Sequence, residues 1–131
     1  MKLYVIYGDP IPLARARFGN RRVFDCQKTE KLVSALDLKR QHADTPIFEG
    51  PLHLDVTFFM YMPKSMNGKN KAKFINKPHF KKPDLDNLIK FINDICTNAE
   101  LWKDDSTVVS ISAKKIYSET ARTEFTIKEI K

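Results

Sequence analysis

The amino-acid sequence predicts an α+β fold, a small two-layer sandwich in which about four strands form a mixed sheet covered by two helices. Three observations support this prediction. The chain has 131 residues, the size of one domain, so we expect residues 1–131 to fold as a single unit. Residues 52–62 alternate apolar and polar side chains, as a half-buried strand does. Residues 85–98 repeat their apolar side chains at the helical period instead.

The first half of the chain contains a short strand, a loop and one helix. Residues 3–7 are a β-prone run that ends at a Gly-Asp-Pro turn. Residues 10–24 carry two prolines and four arginines, which is typical of a loop that could contain a short hairpin. Residues 28–43 are predicted to form a helix that ends before a Thr-Pro pair. Its apolar residues near one helical face are Leu32, Val33, Leu36 and Ala43.

The second half supplies the clearest elements. Residues 52–62 are predicted as a strand, and a lysine-rich loop follows over residues 63–83. The apolar stripe over residues 85–98 predicts an amphipathic helix about 21 Å long. Two further β-prone runs, residues 107–117 and 123–130, are joined by a short turn. The two helices are expected to cover one face of the sheet.

The positive charge is concentrated in one segment. Residues 63–83 contain seven lysines and no acidic residue, whereas the rest of the chain is nearly neutral, with 16 basic against 16 acidic residues. The lysines are Lys64, Lys69, Lys71, Lys73, Lys77, Lys81 and Lys82. A cationic segment on a nearly neutral body indicates a polyanionic partner.

Composition argues against several classes of protein. No stretch approaches the ~18 apolar residues of a membrane span, and the first ten residues are too soon interrupted for a secretory signal. Cys26 and Cys96 lie far apart and match no zinc spacing, so we expect reduced thiols in a cytoplasmic protein.

A group of acidic side chains surrounds the predicted helix over residues 85–98. Asp84 falls at its N-cap and Asp86 in its first turn, and both positions also suit ordinary capping. Opposite the apolar stripe lie Asp86, Asn87, Lys90 and Asp94, and Asp104 and Asp105 follow the helix. Acidic residues beside a cationic loop repel DNA unless a divalent cation screens them. Carboxylates are the ligands that Mg²⁺ prefers, and with a scissile phosphate they hold one or two ions.

Spacing alone leaves the roles of these side chains open. The seven residues from Asn98 to Asp105 just reach back along the helix, so one chain or two subunits could complete the acidic site. Lys90, one turn from Asp86, either balances charge on a phosphate or forms an ordinary surface pair. Asn87 either orients an aspartate or water, or caps the helix.

Two segments give the chain a resemblance to a known family. Residues 82–90 read Lys-Pro-Asp-Leu-Asp-Asn-Leu-Ile-Lys, and residues 101–108 read Leu-Trp-Lys-Asp-Asp-Ser-Thr-Val. This combination resembles the RusA family of phage and bacterial Holliday-junction resolvases. Residues 12–18, with Arg15 and Arg17, look like an Arg-x-Arg-Phe element of one branch of that family.

The resemblance implies a homodimeric, Mg²⁺-dependent endonuclease that resolves four-way DNA junctions by paired nicks in a bacterial or phage-infected cell, with Mn²⁺ as an alternative ion. By position, Asp84, Asp86 and Asp105 would be the catalytic, metal-binding acids. Lys90 would be the essential lysine with Asn87 in support, and the role of Asp104 stays open.

The candidate DNA contacts are basic side chains in two loops. They are Arg15, Arg17, Lys69, Lys71, Lys73, Lys77, Lys81 and Lys82, although arginines in a loop are also often just a solvated edge. Phe74 and Phe80 lie among the lysines, and each either stacks on a base or anchors the loop to the core. We expect one of the two rings to be an anchor.

Three functions remain in competition at this point. A metal-dependent, structure-selective nuclease explains why clustered acids lie beside the most cationic segment. A non-catalytic nucleic-acid-binding module, in which the acids only cap a helix, is the principal alternative. An unrelated interaction protein with a flexible lysine-rich loop is the third. The acidic set and the family resemblance favour the nuclease.

Overall fold

The structure, a computed structural model, describes residues 2–14, 17–19, 22–24, 27–63 and 71–131, with residues 17–19 and 22–24 described through their backbone. The elements in chain order are β1 (Tyr4–Tyr7), β2 (Arg17–Gly19), β3 (Arg22–Phe24), α1 (Lys28–His42), β4 (Leu52–Tyr61), α2 (Lys71–Phe74), α3 (Leu85–Asn98), β5 (Val108–Ser118) and β6 (Arg122–Glu129). The segment before β5 contains a single 3₁₀ turn, Asp105–Thr107.

Four strands form one mixed sheet in the order β1-β6-β4-β5. β4 and β5 are parallel, whereas β6 is antiparallel to both β1 and β4. Because parallel neighbours need a crossover connection, α3 lies between β4 and β5 in the chain. β2 and β3 pair as a separate antiparallel hairpin, so the segment over residues 10–24 does contain the short hairpin that its sequence allows. The predicted α+β fold with a four-stranded mixed sheet is confirmed.

One hydrophobic core lies between the sheet and the two long helices. β4 buries alternate residues from Leu52 to Met60, as its period of two predicts. α3 contributes the stripe that its sequence predicts, namely Leu88, Phe91, Ile92, Ile95 and Cys96. Trp102 is only 1% exposed and donates its indole N–H to Thr97 Oγ1 at 2.8 Å, so it packs in the core. In the described part of the chain, no helix is both long and apolar enough to cross a membrane.

α1 packs with a different face from the one its sequence favours. Ser34, Ala35 and Leu38 are buried, while Leu32, Val33 and Leu36 are 57%, 62% and 57% exposed. The apolar face that the sequence indicates is therefore not the face that packs against the core. α1 carries apolar residues on two sides, and small side chains allow the helix to approach the sheet and α3 closely. A helical period cannot tell which of two such sides faces the core.

The lysine-rich loop is partly structured. It contains the short helix α2, and residues 76–79 then run along the free edge of β5. The Asn76 amide donates to the Tyr117 carbonyl, the Tyr117 amide to the Lys77 carbonyl and the His79 amide to the Lys115 carbonyl, each at 3.0 Å. These bonds tie the chain to the sheet edge immediately before it enters α3.

Candidate active site

Asp84 occupies the N-cap position of α3, as its sequence predicts. Its backbone is extended, and its carbonyl accepts the first helical hydrogen bond from the Leu88 amide at 3.2 Å. Its carboxylate, however, makes no capping hydrogen bond. Ordinary capping, the alternative role for this residue, therefore does not occupy the carboxylate oxygens.

Asp86 and Lys90 lie one helical turn apart on the outer side of α3, and both are exposed. No ion pair joins them in the described part of the structure, where four other pairs are present. Their alternative role as a surface ion pair is thus not realised. Two carboxylates and one ammonium group stand at the start of α3 with their polar atoms facing solvent.

Asn87 anchors a neighbouring loop to this end of α3. Its carbonyl accepts a hydrogen bond from the Leu13 amide at 2.9 Å. A cleft beside this contact is lined by Pro12, Leu13, Lys82, Pro83, Asp84 and Asn87. The loop that carries Arg15 and Arg17 therefore starts beside Asp84.

Asp105 lies elsewhere, near the other end of α3. It lines a cavity with Lys31, Asp94, Thr97 and Asn98. Lys31 and Asp94 form an ion pair at 3.2 Å across the α1–α3 contact. Asp94 is eight residues beyond Asp86, or about 12 Å along the helix axis. One chain therefore groups Asp84 with Asp86, and Asp105 with Asp94.

Asp104 and Asp105 differ in what surrounds their carboxyl groups. Asp104 is the N-cap of the 3₁₀ turn and accepts a hydrogen bond from the Ser106 amide at 3.2 Å. Hydrogen bonds from the Ser106 amide and from the Asp105 side chain lower the pKa of Asp104. The pKa of Asp105 is raised, first by its hydrogen bond to Asp104, then by burial, then by the negative charges of Asp104 and Asp94. Asp104 thus has a structural role, while Asp105 holds its proton more tightly than an ordinary aspartate.

The donor set fits a magnesium ion only in part. Exposed carboxylate oxygens are the ligands that Mg²⁺ takes, and one or two of them suffice when phosphate and water complete the shell. Asp84 and Asp86 meet this requirement. Among the described residues, however, no three His, Cys, Asp or Glu side chains come close enough to hold one ion together. The full set of three acids is not assembled within one chain.

Comparison with known proteins identifies the family. A family model described as endodeoxyribonuclease RusA matches residues 8–128, nearly the whole chain. The chain belongs to the RusA endodeoxyribonuclease family. This result confirms the resemblance that residues 82–90 and 101–108 suggested.

Two known proteins are similar to this chain. An uncharacterized protein of Bacillus subtilis named YqaN is 34% identical over 136 residues, which cover 97% of this chain and 95% of the relative. A protein of Lactococcus phage r1t named crossover junction endodeoxyribonuclease rusA is 38% identical over 80 residues. That match covers 61% of this chain and 56% of the phage protein.

The basic residues of this RusA-family chain are largely exposed where they are described. Lys73, Lys77, Lys81 and Lys82 are exposed, whereas Lys71 forms an ion pair with Glu119 at 2.9 Å. Arg15, Lys64 and Lys69 lie outside the described residues, and so does the side chain of Arg17. Cys26 also lies outside them, whereas Cys96 is buried with a free thiol.

The two phenylalanines of the lysine-rich loop have different environments. Phe74 packs edge-on against Tyr117, with ring centroids 6.4 Å apart. Phe80 is 83% exposed. One ring therefore anchors the loop, as expected, and the exposed ring of Phe80 is the candidate for stacking on a base.

Two side chains that hydrogen-bond to the segments beside the site, Gln27 and Lys115, lie outside the sequence motifs described above. Gln27 donates to the Pro12 carbonyl and accepts from the Ala14 amide, both at 2.8 Å, and so closes the base of the arginine-rich hairpin. Lys115 donates to the carbonyls of Lys81 and Pro83, both at 2.7 Å. The sequence contains one indication of a special role for Lys115. It is a charged residue at a position of β5 where the alternation that includes Ile111 and Ala113 faces the helices.

Proposed function

We propose that this RusA-family chain is a Mg²⁺-dependent endodeoxyribonuclease that resolves four-way DNA junctions by paired hydrolysis in recombination and repair. Family membership supports nuclease activity. The name of the Lactococcus phage relative supports crossover junctions as the substrate. The observation that carries the proposal lies at the start of α3. There the Asp84 and Asp86 carboxylates and the Lys90 ammonium group are exposed and form no ion pair with the residues that the structure describes.

The proposed reaction is the addition of water to one phosphodiester. A water oxygen attacks phosphorus, the bond to the 3′ oxygen breaks, and the products carry a 5′-phosphate and a 3′-hydroxyl. A bound Mg²⁺, or Mn²⁺ in its place, supplies Lewis-acid polarisation of the phosphate and a water of lowered pKa. Asp84 and Asp86 would hold it. Lys90 donates hydrogen bonds to the phosphate oxygens, and the Asn87 amide orients water or a carboxylate.

The separation of the acids supports a site that two subunits complete. A four-way junction presents two equivalent strands, and paired cuts require two active centres related by that symmetry. A second copy would also supply the missing carboxylate, because Asp105 lies beside Asp94 in one chain, and Asp94 stands about 12 Å along the α3 axis from Asp86. We therefore propose a homodimer in which Asp105 of one subunit completes the site that Asp84 and Asp86 form in the other subunit.

The exposed face of α1 is the proposed dimer surface. Leu32 and Leu36 line a groove between α1 and α3, and Lys31 and Asn98 border both this groove and the cavity that holds Asp105. A second copy seated on the apolar face of α1 would thus come to lie beside Asp105. This continuity favours α1 over the open face of β4, where Phe59 lies under the Arg122 guanidinium, 3.7 Å from the ring centre.

The decisive experiment uses a synthetic four-way junction with Mg²⁺. The wild-type protein is expected to make symmetric paired nicks that leave 5′-phosphates. We expect Asp86→Asn to lower the cleavage rate by about 100-fold, equivalent to about 3 kcal/mol of transition-state stabilisation, with junction binding retained. Asp55→Asn is the matched control, since Asp55 is an exposed acid on the opposite face of the sheet.

Two results would count against the nuclease. Full cleavage by Asp86→Asn would remove this carboxylate from the reaction. Binding of the junction by the wild-type protein without any cleavage would favour the non-catalytic nucleic-acid-binding module, in which the acids only begin a helix.

A further inference from the structure

Lys115 connects the sheet to the segment that leads into the acidic end of α3. It lies on β5 opposite Phe58 of β4, so its side chain emerges on the face of the sheet that the helices cover. Its ammonium group donates to the carbonyls of Lys81 and Pro83, both at 2.7 Å. Asp84 is the next residue after Pro83.

The same residue also binds the chain through its backbone. The Lys115 carbonyl accepts a hydrogen bond from the His79 amide at 3.0 Å. Residues 79, 81 and 83 are thus all tied to one position of the edge strand. Two of the three bonds involve a charged donor, and such bonds are shorter and stronger than neutral ones.

No carboxylate within the described part of the chain pairs with Lys115. The ion pairs in that part of the structure involve other cations. The Lys115 ammonium group donates its hydrogen bonds to backbone carbonyls at the point where the chain enters α3. The usual role of an exposed lysine, a solvated charge or a surface ion pair, does not describe this side chain.

We propose that Lys115 is a positioning residue of the nuclease, which holds residues 81–83 so that the Asp84 and Asp86 carboxylates are placed for metal and phosphate. The inference rests on the proposed function. Side chains that orient metal ligands typically change metal affinity or activity about 10- to 100-fold when they are removed. Lys115 acts at one remove, through the backbone before Asp84, and touches neither substrate nor metal.

The test compares Lys115→Met with Lys114→Met. Both variants remove one positive charge from β5, but Lys114 is exposed on the other face and its side chain makes no hydrogen bond or ion pair with the described residues. In Lys115→Met we expect the Mg²⁺ concentration for half-maximal junction cleavage to rise about 10-fold. Junction affinity measured without metal and the melting temperature serve as checks that the protein is folded and binds DNA.

A second readout does not depend on activity. The Leu88 amide donates to the Asp84 carbonyl at the first turn of α3, so its hydrogen exchange reports whether this turn is held. We expect it to exchange about 10-fold faster in Lys115→Met, with amides of β6 unchanged. Lys115→Arg keeps a charged donor and should fall between the wild type and Lys115→Met in both measurements.

The outcomes separate this inference from the proposed function. An unchanged Mg²⁺ requirement and unchanged Leu88 exchange in Lys115→Met would overturn the role of Lys115. Equal effects in Lys114→Met would also overturn it, because net charge would then be the cause. If Lys115→Met accelerates Leu88 exchange but the wild-type protein cuts no junction, the proposed function fails while the attachment of residues 81–83 to Lys115 stands.

Discussion

At the scale of single residues, the acids of this chain differ in how much of their hydrogen-bonding capacity the fold already uses. Asp104 accepts a hydrogen bond from the Ser106 amide and so stabilises the 3₁₀ turn. Asp84 stands at a helix start without using its carboxylate. The Asp105 carboxyl group forms a hydrogen bond with the Asp104 carboxyl group, which raises the pKa of Asp105. Carboxylates with unused oxygens are the ones available to a metal ion.

The raised pKa of Asp105 can be tested by removing its first cause. In Asp104→Asn the neighbouring carboxyl group and its negative charge are removed, so the pKa of Asp105 should fall toward its ordinary value. Asn still caps the turn, which keeps the local fold. Carbon-13 titration of the Asp105 carboxyl group measures the shift.

The sign of the effect on activity follows from the competition between proton and metal. A lower pKa leaves Asp105 ionised at lower pH, so the acid limb of the cleavage profile should move to lower pH in Asp104→Asn. A pKa of Asp105 that stays in place, or moves upward, would contradict the assignment of Asp104 as the principal cause.

At the scale of elements, α1 is a helix with an apolar side that remains exposed to solvent in the single chain. One side packs on the core through Ala35 and Leu38. The other side presents Leu32, Val33 and Leu36, each more than half exposed. Contiguous apolar groups on a helix surface indicate a partner, because burying each such side chain contributes about 1.5–3 kcal/mol.

The dimer surface is tested by placing a charge on this face. Leu36→Glu is expected to convert a dimer into a monomer in sedimentation velocity measurements and to abolish paired cutting, because a carboxylate buried at a dimer interface is strongly unfavourable. Val109→Glu is the matched control, since Val109 is 62% exposed on β5.

The opposite pattern would relocate the interface. If Val109→Glu produced monomers and Leu36→Glu did not, the exposed surface of β5 around Val109 would be the dimer surface. If the wild-type protein sedimented as a monomer at all concentrations and with a junction bound, the two-subunit site would be wrong.

At the scale of the whole molecule, charge is segregated rather than balanced locally. The lysine-rich segment leads directly into α3, so a cationic stretch of chain adjoins the exposed Asp84 and Asp86 carboxylates. Exposed Lys73, Lys77, Lys81 and Lys82 would draw in the phosphate backbone, and Phe80 stands among them with its ring 83% exposed. Attraction to these lysines would hold DNA close to the Asp84 and Asp86 carboxylates, although the carboxylates themselves repel the phosphates.

The proposed DNA-binding surface makes a quantitative prediction about salt. Replacing both Lys73 and Lys77 by Ala should weaken junction binding and reduce the slope of log affinity against log salt by about 0.9 for each phosphate that the variant no longer neutralises. Lys128 and Lys131, replaced together by Ala, form the control with the same change in net charge, because both are exposed at the C-terminal end of the chain. Equal slopes for the wild type and the Lys73/Lys77 variant would show that the segment does not contact DNA.

Aromatic stacking is tested separately from charge. Phe80→Ala is expected to weaken junction binding by about 1–3 kcal/mol without changing the salt slope, since stacking on a base releases no counterions. Phe74→Ala should instead lower the melting temperature, because Phe74 packs against Tyr117. Binding that is unchanged in Phe80→Ala would remove this ring from the interface.

The sequence by itself determined the elements whose signal is local. The period of two in β4 and the helical period in α3 specify both elements and their buried faces, because each face buries side chains at regular short spacing. The residues at the start of α3 also follow from the sequence, since they lie within one helical turn of each other. The Asp84–Lys90 motif therefore marked the family before any tertiary contact was known.

Only the tertiary structure decided how distant segments meet. Which side of α1 faces the core depends on how closely it approaches the sheet, and no helical period contains that information. Asp105 lies beside Asp94 because the chain turns back at the end of α3 through the packing of Trp102. Lys115 reaches residues 81 and 83 across more than 30 positions of the chain. Contacts at such separations arise from the complete fold, since no local pattern of polarity encodes them.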